Sequence, residues 1–224
     1  MKRTLAGYEP HMWDYITERH AQLLYQSYQH LSLVIQCVLL ATVLAVALAV
    51  FVHRNPRVVA LAGGVSAIGL TIPSFALLGL LIPSAGIGTA TSVIAVTFYA
   101  TLPILRNAVV GLAGVDAALI ESARGMGMGA VRTLMRIELP LAWPVILAGV
   151  RVSAQMSMGI AAIAAYVLGP GLGSFIFTGL TQIGGANALN SALVGTLGVV
   201  LLALVLDALL LLAGRLTTSR GIRV

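Results

Sequence analysis

Residues 191–214 read SALVGTLGVVLLALVLDALLLLAG, a run with one ionisable side chain, Asp207. Four earlier apolar runs are of comparable length: roughly Leu31–Val52, Val58–Ile82, Thr89–Val110 and Leu141–Leu168. A bilayer core is ~30 Å thick and takes ~20 apolar residues of helix to cross. Within it every backbone N–H and C=O must be satisfied by the chain itself, which leaves helices or a closed barrel. The alternation of barrel strands is absent. These runs therefore predict an all-α, polytopic transmembrane helical bundle of about five spans. Composition agrees: 9% of residues are charged, against ~25% in a soluble domain.

Charge position sets the expected orientation. Arg54 and Arg57 lie in the first loop, and Arg106, Arg124, Arg132, Arg136 and Arg151 in or beside the third. Arg215, Arg220 and Arg223 lie in the tail, and no Lys or Arg occurs in 58–105 or 152–214. The positive-inside rule then places the first loop, the third loop and the C-terminus in the cytoplasm, with the N-terminus outside. The same bias accounts for the net charge of +6 without nucleic acid as a partner. Residues 1–30 are expected to form an extracytoplasmic or interfacial amphipathic segment, with Trp13, Tyr15, Tyr25 and Tyr28 suited to a bilayer surface. No apolar stretch follows Lys2 and Arg3 until about residue 31, so the first span is expected to be retained. Residues 31–214 form the transmembrane domain and 215–224 a basic cytoplasmic tail.

One stretch breaks the apolar pattern: ESARGMGMGAVRTLMRIELP, residues 121–140. Asp116 suits an N-cap for a helix from Ala117. Gly125 and Gly127 are expected to end it through left-handed backbone. A second helix over about Ala130–Leu139 is expected to stop at Pro140, which disfavours helical geometry in the residue before it. The first helix has an apolar stripe, Leu119, Ile120 and Ala123, and a polar edge, Glu121 and Arg124. Such a short helix gains stability either in a groove of another protein or on the membrane surface.

The spacing of this stretch resembles the cytoplasmic loop of permease subunits of ATP-binding-cassette importers. That family's pattern is E-A-A, three residues, G, nine residues, I, one residue, L-P. Here Glu121, Ser122 and Ala123 precede Gly127, then Ile137, Leu139 and Pro140, at matching intervals and with Ser122 for the first Ala. The resemblance implies a type I importer fold in which residues 112–140 form a coupling loop. Glu121, Ser122, Ala123, Gly125, Gly127, Ile137, Leu139 and Pro140 would be its ATPase-coupling positions. It also implies the partners: a cytoplasmic ATPase dimer, a second permease subunit (identical or paralogous), an extracytoplasmic substrate-binding protein and the bilayer. Lys2 is the only Lys, so a P-loop is impossible here. ATP and Mg are expected in the partner, with no cofactor and no catalytic residue in this chain.

The segments TIPSFALLGLLIP (71–83) and YATLPILRNAVVGL (99–112) are similar to permeases of the osmoprotectant branch, which imports glycine betaine, carnitine, choline and proline betaine. The segment 160–180 is shared more widely, including with methionine permeases, so amino acids such as methionine form the alternative cargo. A stand-alone secondary transporter would show internal repeats or several mid-membrane charges. Neither is evident. Translocation-path candidates are Ser74, Thr97, Tyr99 and Thr101. The span aromatics Phe75, Phe98, Tyr99 and Tyr166 show no cage-like spacing in sequence. Asp207, an acid in an apolar run, is expected to pair with Arg106 or Arg151. Cys37 is alone, and His11, His20, His30 and His53 are unaccompanied, so no metal site is expected.

Overall fold

A computed structural model describes residues 11–217, and all regular structure among them is helical. Helix α1 spans Met12–Val52 without interruption. It continues through residue 30, where the transmembrane domain is expected to begin. The stretch contains no Gly or Pro, so nothing in it ends the hydrogen-bond ladder where the apolar run begins. Its length is about 60 Å, roughly twice a bilayer core.

The second expected span is two helices. Asn55 caps α2 (Pro56–Thr71), its side-chain oxygen accepting from Arg57 N–H, with Pro56 in the first turn. Ile72, the residue before Pro73, is extended (ψ 123°), as proline's ring requires of its predecessor. Helix α3 (Ser74–Ala85) starts at once, bent 92° from α2. The hydroxyl of Tyr99 donates to the Ile72 carbonyl left open at this break.

Helix α4 covers Thr89–Ala113 and α5 covers Ala117–Gly125. A four-residue turn α6 (Ala130–Thr133) runs through a π-helical turn, Leu134–Glu138, into α7 (Leu139–Ala164). Pro140 therefore does not stop a helix. The Leu139 N–H donates five residues back, to the Leu134 carbonyl, and the widened turn gives the proline ring room against its predecessor. A 3₁₀ turn (Ala165–Val167), the short helix α8 (Gly173–Thr181) and the long α9 (Ala188–Thr217) complete the chain.

The chain divides into two compact units, each drawing on α1, α4, α7 and α9. One contains 1–36, 74–96 and 158–205. Its apolar core gathers Leu78, Ala95, Ala164 and Val167, with Leu77, Leu81, Ile82 and Ile163 packed on it. In the same unit α1 holds the turn after α7: the Gln26 side chain accepts from Gly171 N–H at 3.0 Å, and His30 packs where a Cβ on Gly171 would stand.

The other unit contains 37–73, 97–157 and 206–224. Here α4 and α7 approach closely. A Cβ on Gly149 would lie 2.7 Å from the Asn107 Cβ, and one on Gly111 3.1 Å from the Ala142 carbonyl oxygen. Small residues at such crossings let membrane helices pack backbone to backbone. Ser153 adds a hydrogen bond to the Ala100 carbonyl, 2.7 Å.

Candidate functional site

Within the expected coupling loop, Asp116 caps α5, its side chain accepting from Ala118 N–H at 2.9 Å. The helix ends in a Schellman arrangement. Met128 N–H donates to the Ala123 carbonyl (3.0 Å) and Gly127 N–H to the Arg124 carbonyl (2.9 Å), with Gly127 left-handed at φ +79°. Gly125 is not left-handed, and a Cβ on it would meet nothing within 4 Å. Gly127 alone therefore forms the turn, because the expected pair of glycines would have unwound α5 one turn too early.

Ala123 is fully buried and ties α5 down. Around it Leu119 is 46% and Met126 74% exposed, Val131 and Met135 are exposed as well, and Thr133 and Glu138 are buried. Glu121, Ser122, Arg124, Arg132 and Arg136 are exposed among them. Ile137 and Leu139 are half-buried and Pro140 is exposed. Apolar side chains grouped with charges on an open helical surface suit a protein partner or the membrane surface.

The π turn buries an ion cluster that sequence reasoning missed. Glu138 is 1% exposed. Its Oε2 lies 2.9 Å from His53 Nε2, and Arg54 donates to Oε1 at 3.1 Å. His53 Nδ1 lies 2.8 Å from the Val50 carbonyl oxygen. Both ring nitrogens thus lie within hydrogen-bond distance of oxygen atoms, and Arg54 Nε lies 3.4 Å from Nε2. His53 and Arg54 close α1, and Glu138 sits just ahead of α7, so the cluster joins the end of the coupling segment to the end of the first helix. The available signal was a lone Glu inside I-E-L-P and a His at a helix end, 85 residues apart. No local pattern links them.

Among the path candidates, Thr101 donates to the Thr97 carbonyl at 2.7 Å within α4, and Thr97 lies beside the Cys37 thiol. Tyr99 is committed to the α2–α3 break. Ser74 falls in the other unit. Asp207 is held by Arg151 in a two-point contact, Nε to Oδ1 2.9 Å and the second nitrogen to Oδ2 3.0 Å, while the exposed Arg106 takes no part. Among the described residues no group of three or more His, Cys, Asp or Glu could hold a metal ion.

A family model described as binding-protein-dependent transport system inner membrane component matches residues 39–218. The chain is 36% identical over 213 residues to the choline transport system permease protein OpuBB of Bacillus subtilis, covering 95% of this chain and 96% of that one. It is 40% identical over 195 residues to the carnitine transport permease protein OpuCB of Listeria monocytogenes (86% and 87% covered). It is 36% identical over 214 residues to the osmoprotectant import permease protein OsmW of Salmonella typhimurium (93% and 98%). Among solved structures, an inward-facing form of the MetNI methionine ABC transporter superposes with a TM-score of 0.70 at 21% identity, covering 90% of this chain and 96% of that one. At that identity the likeness speaks for the fold.

Proposed function

The chain belongs to the binding-protein-dependent transport system inner membrane components, and we propose that it is the permease of an ATP-driven importer for quaternary-amine osmoprotectants. The observation that carries the coupling half of this reading is the open surface of α5 and the turn after it, capped by Asp116 and turned by Gly127. That surface receives a separate ATPase, with Glu121, Ser122, Ala123, Gly125, Gly127, Ile137, Leu139 and Pro140 as docking or shaping positions. The cargo half rests on relatives of 36–40% identity whose names specify choline, carnitine or osmoprotectants. Beyond the widely shared segment 160–180, methionine enters through a structural neighbour at 21% identity, which carries no argument for cargo.

The protein is a multi-pass membrane component, and in this proposal the loops and helix ends that carry Arg54, Arg57, Arg106, Arg124, Arg132, Arg136, Arg151 and Arg215 lie on the cytoplasmic side, with a substrate-binding protein engaged on the opposite side of the membrane. A second permease subunit completes the pathway, and ATP and Mg reside in the ATPase.

Co-purification with the importer's ATPase tests the docking claim. Gly127→Val forces a β-branched residue into φ +79°, where side chains strain by about 1–2 kcal/mol. The expected result is a helical, monodisperse permease that no longer retains the ATPase. Retention equal to the unaltered protein would reject the docking role of this turn.

A further inference from the structure

We propose that Phe75, Tyr166 and Phe177 form a cation–π site for the trimethylammonium group of the cargo, a reading that rests on the importer function above. The three rings come from three separate elements: Phe75 from the start of α3, Tyr166 from the 3₁₀ turn after α7, and Phe177 from α8. All belong to one compact unit. Their centroids stand 5.4 Å (Phe75–Tyr166), 6.4 Å (Phe75–Phe177) and 5.7 Å (Tyr166–Phe177) apart. The interplanar angles are 78°, 89° and 53°. A cation resting over a triangle of this size lies within ~6 Å of all three centroids, the range over which a ring face attracts it.

Mutual packing does not use up these rings: Phe75 is 49% and Tyr166 66% exposed. Their positions are also the irregular ones. Phe75 follows the Pro73 break, and Tyr166 precedes Leu168, the one described non-glycine residue with positive φ (+60°). Phe177 sits on a nine-residue helix too short to cross a bilayer. Broken helices at membrane depth are tolerated where they are buried or line a cavity, and in transporters they mark where cargo binds.

Charge narrows the ligand. Residues 74–96 and 158–205 of this unit contain no Asp, Glu, Lys or Arg. A cation arriving there meets no carboxylate to trap it and no base to repel it. Trimethylammonium offers no N–H to a hydrogen-bond acceptor, and its diffuse charge is matched by the negative face of a ring. The contact is weak enough to release the cargo.

The test is ATP-driven uptake of radiolabelled choline into liposomes holding the permease, its ATPase and its binding protein. Ring-fluorinated phenylalanine at 75 or 177 keeps the shape and removes the negative face. The expected result is uptake lowered by about two- to thirtyfold, the range a cation–π contact supports. Tyr166→Phe should retain uptake and Tyr166→Leu should lose it. Choline uptake indifferent to fluorination, or Tyr166→Phe as defective as Tyr166→Leu, overturns the site while leaving the importer function standing. An unaltered complex that takes up neither choline, carnitine nor glycine betaine overturns the cargo class and this site together.

Discussion

Glu138 is a carboxylate removed from water beside an imidazole and a guanidinium. Removing one member of a buried hydrogen-bonded pair costs about 1–3 kcal/mol, because the other polar group stays behind unsatisfied. Arg54 is half exposed and its share is screened, so His53 carries most of the loss. Glu138→Ala is expected to lower the melting temperature. In the reconstituted importer it should let ATP hydrolysis proceed with reduced uptake, since the coupling segment and α1 would no longer move as one. His53→Gln with Glu138→Gln, which restores a neutral hydrogen-bonded pair, should recover part of both. Equal coupling of hydrolysis to uptake in Glu138→Ala would show the cluster to be structural only. Arg151 and Asp207 face each other through two hydrogen bonds. Asp207→Asn and Arg151→Gln should therefore be non-additive by about 0.5–3 kcal/mol in a thermal double-mutant cycle. Additivity would reject the pair. Transport should survive Asp207→Asn in folded protein, because a carboxylate clamped by Arg151 is not free to shuttle protons.

At the scale of elements, the sequence was most legible where local chemistry decides. Asp116 as a cap and Gly127 as a left-handed stop need only their neighbours. It was least legible where a proline's effect depends on distant partners. Pro73 breaks a span because the Ile72 carbonyl can turn to Tyr99, 27 residues on. Pro140 breaks nothing, because a π turn absorbs it. The α4–α7 crossing shows the same dependence: Gly149 looks like any glycine in a membrane run until Asn107 and the Pro103 carbonyl are brought against it. Gly149→Leu is expected to push the two helices apart and yield protein that aggregates in detergent. Gly159→Leu, with nothing within 4 Å of its Cβ position, should be tolerated. Equal behaviour of the two in size-exclusion chromatography would contradict the close crossing.

On the whole-molecule scale, the division of charge follows the division of structure. Described arginines other than Arg19 lie in the unit that also contains the coupling segment and the Glu138 cluster. The unit with the three aromatic rings has its described Asp, Glu and Arg confined to Asp14, Glu18 and Arg19 near the start of α1. Apolar run length and arginine position made this division readable from sequence. Phe75, Tyr166 and Phe177 were not readable as a group, since two breaks and a short helix bring together residues up to 102 positions apart. The importer function is tested most directly by uptake of radiolabelled choline, carnitine and glycine betaine into liposomes containing the permease, its ATPase and its binding protein. The expected result is accumulation that requires both lumenal ATP and the binding protein. Accumulation without either, or none of these three compounds when another solute is taken up, would contradict it.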